Sequence, residues 1–194
     1  MRNYRFARLA SLVCFAGGII EVVYGLLAIS FGPYSQHAYG WDEALWALAM
    51  VGEIGAVLGL LALDVARPRW LAGIGGTLAI LGQFIRIVVS ALILLRPPWD
   101  STMPIILSIL LMLLGMGSLG VATLLGKQLT GWRAWMPLLV PVVGLMVAAV
   151  FSINLFLHFI LLGLWGIPWL LVGYVVFTQA GKQEQAVRLA RSLN

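Results

Sequence analysis

Apolar residues in this chain follow one another in long runs instead of alternating with polar ones. A helix needs about 20 such residues to cross a bilayer core of about 30 Å. By that measure the pattern predicts one polytopic domain over residues 1–194, an all-α bundle of six transmembrane helices. Their approximate bounds are 10–31, 44–63, 70–95, 103–125, 135–151 and 155–177.

The breaks between the runs have helix-ending chemistry. Arg96-Pro97-Pro98 cannot continue a helix, because proline lacks the backbone donor and restricts the residue before it. Ser152-Ile153-Asn154 divides an apolar stretch too long for one span, and its serine and asparagine favour turns and helix caps. Gly126 and Gly181 follow the fourth and sixth runs, where glycine can end a helix.

Composition agrees with a lipid environment. The chain is 62% hydrophobic and 10% charged, with a mean hydropathy of +1.02. Soluble domains carry about a quarter of their residues as charged ones, so composition excludes that class. The net charge of +5 is read first as a topology signal, and no nucleic-acid partner is expected.

The basic residues also predict an orientation. Of the 12 Lys and Arg residues, Arg96 lies in a loop on one side of the predicted bundle and Arg86 lies inside a span. The others fall in the N-terminal arm, the second and fourth loops and the tail, all on the opposite side. Since cytoplasmic loops are enriched in Lys and Arg, both termini are predicted to be cytoplasmic in a multi-pass protein of the cell membrane.

The tail, residues 181–194, allows two interpretations. Ala186, Leu189 and Leu193 recur at helical spacing, and Glu184 and Arg188 form an i,i+4 pair. These features fit a short amphipathic helix on the inner membrane surface. They fit equally well a frayed end of the sixth helix.

Four polar residues fall near the middle of the predicted spans. Glu21 and Glu53 are central in the first and second runs, and Gln83 is central in the third. Arg86 follows about 4.5 Å further outward, and Ser90 continues the same helical stripe. Charges at this depth cost about 3 kcal/mol each when unpartnered, so these residues are expected to cluster inside the bundle as a substrate or ion site.

The charge balance of the cluster suggests its chemistry. Arg86 is expected to pair with either Glu21 or Glu53, which leaves the other carboxyl without a cation. A desolvated carboxyl of this kind favours its protonated form and can act as a proton carrier or cation ligand. The alternative is structural, namely a buried ion pair and a protonated glutamate that hold three helices together.

A second set of residues is predicted near the outer ends of the helices. A pocket there would be lined by Tyr24, Trp46, Asn154, His158 and Trp165. The alternative is an ordinary interfacial aromatic belt with polar residues beside it.

The sequence has no recognisable catalytic motif. The sequence shows no nucleophile–His–acid set, and the single Cys14 is a poor basis for a metal or redox site. Gly73–Thr77 resembles a phosphate loop but lacks the following lysine and a preceding strand. We therefore predict no catalytic residues, no metal and no cofactor.

Three functions remain open. The first is a small membrane protein that binds or transports a small solute or ion through the midplane cluster. The second is a non-transporting accessory subunit, in a homo-oligomer or larger membrane complex, whose charges are structural. The third is an intramembrane lipid-modifying enzyme that uses a glutamate as general base.

Overall fold

The computed structural model describes residues 3–31, 41–95, 102–151 and 153–192, and their regular elements are helices. Six of these helices are long and apolar enough to cross a membrane. A short 3₁₀ helix, Gly131–Trp135, precedes the fifth. The six helices are α1 (Tyr4–Phe31), α2 (Trp41–Ala62), α3 (Arg69–Leu95), α4 (Thr102–Gly126), α5 (Met136–Phe151) and α6 (Leu155–Ser192).

The helix boundaries largely match the predicted breaks. Gly126 ends α4, and Lys127 after it adopts a left-handed conformation with φ of 51°. Asn154 caps α6, because its side-chain oxygen accepts a hydrogen bond of 3.0 Å from the backbone N–H of Leu157. Residues 96–100 and Ser152 lie outside the described part of the chain.

The expected helix end at Gly181 is wrong. Helix α6 continues without interruption through this glycine to Ser192. Arg188 bonds Glu184 at 2.6 Å across one turn, and Arg8 of α1 bonds the same carboxyl at 3.2 Å. The tail is therefore the continuation of α6, and its contact with α1 helps to hold it in helical form.

Each helix packs against its neighbour in sequence, and α6 returns to pack against α1. The helices thus form a closed ring, with α2 also touching α6. Neighbours are antiparallel. In the α1–α6 pair, for example, Gly25 lies against Gly163, whereas Cys14, earlier in α1, lies against the later Gly173.

Glycines occupy the contact lines of this ring. A Cβ on Gly17 of α1 would lie 2.7 Å from the Cα of Gly52 on α2, and one on Gly25 would lie 2.8 Å from the backbone nitrogen of Gly163. A Cβ on Gly82 of α3 would lie 2.6 Å from the carbonyl oxygen of Ser108 on α4. Small residues let apolar helices approach closely, which is how helices associate in lipid.

Candidate functional site

The close approach of α1 and α2 brings two carboxyl groups together inside the ring. Glu21 is one turn after Gly17 on α1, and Glu53 directly follows Gly52 on α2. Their carboxyl groups are neighbours. Glu21 is 2% exposed and Glu53 is 1% exposed, so the pair is closed to solvent.

Gln83 of α3 completes this carboxyl cluster, which we define as Glu21, Glu53 and Gln83. Its side-chain amide donates a hydrogen bond to Oε2 of Glu53, and Gln83 is itself buried. An amide donor stabilises negative charge on the oxygen that it contacts. The structure thus joins three of the sequence-predicted residues, one from each of the first three helices.

Three carboxyl oxygens of the cluster lack a hydrogen-bond donor. Within the described residues, no N–H or O–H group donates to either oxygen of Glu21 or to Oε1 of Glu53, although all three are buried and the two carboxyl groups lie within hydrogen-bonding reach of each other. Buried polar atoms are normally satisfied, because leaving one unpaired costs about 1–3 kcal/mol and more for a charged group. A proton on these carboxyl groups, or a bound group that carries positive charge, would satisfy the three oxygens.

Helix α6 closes the cluster on its remaining side. A Cβ on Gly166 would lie 2.5 Å from the backbone oxygen of Gly18 and 3.0 Å from the Cβ of Glu21, so glycine lets α6 lie directly against α1 beside this residue. Cys14 donates its thiol hydrogen to the carbonyl oxygen of Trp169 at 3.1 Å. Cys14 therefore closes the contact between α1 and α6.

Arg86 pairs with neither Glu21 nor Glu53, so that expectation is wrong. Its guanidinium group donates to both oxygens of Glu43 on α2, at 3.0 and 3.4 Å. The cause is side-chain length. The guanidinium group extends away from Gln83 toward the start of α2. Its partner Glu43 lies ten residues before Glu53, which is about 15 Å along the helix.

Ser90 and Trp46 belong to this second group. Ser90 accepts a hydrogen bond from Arg86 at 2.8 Å and donates one to Glu43 at 2.6 Å. The guanidinium carbon of Arg86 lies 5.5 Å from the ring centre of Trp46, a cation–π distance. We call Glu43, Trp46, Arg86 and Ser90 the ion-pair cluster.

The contacts of the predicted outer-pocket residues fall into two groups. Tyr24 packs against Trp46, with ring centres 5.3 Å apart, beside the ion-pair cluster. Trp165 is buried against Gly144 of α5, and His158 bonds the backbone oxygen of Val147 at 3.1 Å. The fifth residue is the exposed cap of α6, Asn154. These contacts put the aromatic pair on α1 and α2 and the others at the α5–α6 contact.

Sequence reasoning missed Glu43 because it precedes the apolar run. Helix α2 begins two residues earlier, at Trp41, and so places Glu43 in its first turn. The available signal was the spacing of Glu43 and Trp46, which are three residues apart and so neighbours on one helix surface. An acidic residue and an aromatic ring on one face are suitable partners for an arginine in the second half of α3.

No protein-family model, curated protein or solved structure matches this chain. The two polar clusters are therefore the basis for a functional assignment.

Proposed function

We propose that this chain is a multi-pass protein of the cell membrane that binds or transports a small ion or solute through its carboxyl cluster. All six long helices would span the bilayer, with both termini cytoplasmic. The observation that carries the proposal is the set of three buried carboxyl oxygens without donors. Ionisable groups at membrane depth are costly, and they typically mark ion pathways and proton relays.

The chemistry of the site follows from the single amide donor. Gln83 donates to one oxygen of Glu53, which leaves the other three carboxyl oxygens of the pair without an N–H donor among the described residues. Glu21 has no donor, so a proton or a small cation between the two carboxyls is what balances their charge. Release of that species requires α1 and α2 to separate or α6 to move, because both carboxyls are closed to solvent. The structure thus fits an occluded state of such a site.

Replacing either carboxyl by its amide tests this proposal. Neither Glu21 nor Glu53 pairs with an arginine in the structure, so Glu21→Gln and Glu53→Gln should both fold. We expect infrared difference spectra of the purified wild type between two pH values to show a protonated-carboxyl band that either substitution diminishes. Glu184→Gln, whose carboxyl pairs with Arg8 and Arg188 at the other end of α6 from Asn154, serves as the control and should leave the band unchanged.

Adding sodium ions at constant pH extends the same measurement. Loss of the protonated-carboxyl band on adding sodium, but not on adding the bulky choline cation, would identify a cation that exchanges with the proton. If the wild-type protein shows no titrating carboxyl band and no sodium response, the binding proposal fails.

A non-transporting accessory subunit is the second candidate function. Its support is the closed state of the carboxyl cluster together with the glycine contacts that fix α1 against α2 and α6. In this case a permanently protonated pair would hold the helices together, inside a larger membrane complex or homo-oligomer. No titration would then occur, and both glutamine variants would resemble the wild type. The closed cluster gives no support to lipid modification, because a general base must contact its substrate.

Orientation is tested separately. The distribution of Lys and Arg leads us to expect tags at residues 1 and 194 to be labelled only after the cell membrane is permeabilised. A tag placed within residues 96–100 should be labelled from outside intact cells. Labelling of either terminus in intact cells would contradict the proposed topology.

A further inference from the structure

A basic cavity lies where the N-terminal end of α1 meets the extended end of α6, far from both polar clusters. Its volume is about 410 Å³, within the range of about 300–1,000 Å³ that is usual for small-molecule sites. The lining side chains include three cations and one acid, namely Arg8, Lys182, Arg188 and Glu184. The cavity thus carries an excess of two positive charges, and we call it the tail pocket.

Ion pairs hold the charged groups of the tail pocket in place. Glu184 receives hydrogen bonds from Arg188 at 2.6 Å and from Arg8 at 3.2 Å, and its side chain is only 13% exposed. The arginines remain far more open, at 75% for Arg188 and 46% for Arg8. Glu184 therefore fixes two guanidinium groups and leaves donors of both free to face an anion.

The depth of the pocket points to a lipid. Phe177 and Thr178 line it at the level where the apolar part of α6 gives way to its polar end. The Phe177 ring also lies beneath the guanidinium group of Arg8, 4.9 Å from its carbon. An apolar edge beside open cations matches a molecule with acyl chains and an anionic group at the membrane surface.

We propose that the tail pocket binds the phosphodiester headgroup of an anionic phospholipid, in the leaflet at the end of the bundle that holds both termini. Arg188 and Arg8 would contact the phosphate oxygens and Lys182 would add charge, while the acyl chains would follow the apolar surface of α6 below Phe177. Arginine suits phosphate because its planar group presents paired donors. A lipid bound there would join α1 to the end of α6.

The test is a titration of the purified full-length protein with phosphatidylglycerol, followed by native mass spectrometry. Phosphatidylcholine with the same acyl chains is the zwitterionic comparison. Near a membrane each basic residue contributes a factor of about 5 in binding, so Lys182→Gln with Arg188→Gln should weaken phosphatidylglycerol binding about 25-fold. The control removes the same charge from exposed residues outside the pocket, by Lys127→Gln with Arg191→Gln, and should bind like the wild type.

Three results would overturn the proposal. Equal binding of phosphatidylglycerol and phosphatidylcholine would show that no anionic site exists. Equal losses in the pocket variant and the control variant would show that only net charge matters. Displacement of the lipid by glycerophosphate at a concentration similar to that of the lipid would identify a site for a free phosphate compound. Thermal unfolding of both double variants, measured in parallel, establishes that the compared proteins are folded.

Discussion

Arg86→Ala is expected to lower the free energy of unfolding by about 3–5 kcal/mol. The substitution removes the cation from a largely buried pair, in which the side chains of Arg86 and Glu43 are 13% and 15% exposed. Glu43 would retain the hydrogen bond from Ser90 but lose both charged donors. A buried carboxylate that loses its cation is costly, and α2 and α3 would lose the ion pair that joins the first turn of α2 to α3.

A double-mutant cycle in a membrane-mimetic detergent measures this effect. Glu43→Ala together with Arg86→Ala should cost less than the sum of the two single changes, because the double variant leaves neither charge unpaired. Arg69→Ala is the matched control. Arg69 also pairs with an acidic residue, Asp64, but its side chain is 72% exposed. Exposed pairs contribute less than about 1 kcal/mol. Equal losses at Arg86 and Arg69 would show that the ion-pair cluster is effectively solvated.

Gly115→Ala is expected to destabilise the protein and Gly117→Ala is not, although the two residues are only two positions apart along α4. A Cβ at Gly115 would lie 2.6 Å from the carbonyl oxygen of Gly75 and would also collide with the backbone nitrogen of Ala79. Both of these are backbone atoms, which cannot move aside as a flexible side chain can, so α3 and α4 must separate. Overpacking of this kind costs about 1–3 kcal/mol, and backbone collisions belong at the upper end.

At Gly117 a Cβ would meet no atom within 4 Å. Alanine favours helix over glycine by up to about 1 kcal/mol, so Gly117→Ala should be neutral or slightly stabilising. Reversible unfolding in mixed micelles compares the two variants directly. Similar stability of both variants would mean that α3 and α4 are not in close contact at Gly75. Because α3 holds Gln83 and Arg86, the Gly115 variant should also alter the carboxyl band described above.

The helices were predictable because their signal lies in composition alone. An apolar run of sufficient length can satisfy its backbone in lipid only as a helix or a barrel strand, and runs of about 20 residues select the helix. All six predicted runs correspond to long apolar helices. The end of α6 was less predictable because Gly181 lies inside a helix that Arg8 supports from α1, a contact between residues 176 positions apart. The helix propensities of the residues around Gly181 contain no information about a contact so distant in sequence.

The carboxyl cluster was predictable in part, for a related reason. Small and polar residues at helical spacing indicated that Gln83 faces the interior, and its short side chain meets the glutamate at its own depth. Arg86 has a long side chain, so its partner depends on the rotation and register of α2 against α3. Neither quantity can be read from one sequence. The same limit applies to the predicted outer pocket, because Trp46 and Trp165 lie in different helix pairs.

The return of α6 to α1 has a consequence for biosynthesis. Cys14 contacts Trp169 across 155 positions of the chain, and Glu21 is covered by Gly166. A ribosome makes α1 before α6, so the covering surface does not exist until α6 has been synthesised. A product interrupted before α6 would keep its glycine face and its carboxyl uncovered. Synthesis of α6 is thereby coupled to concealment of Glu21, which gives cellular quality control a means to distinguish molecules that contain α6 from shorter fragments.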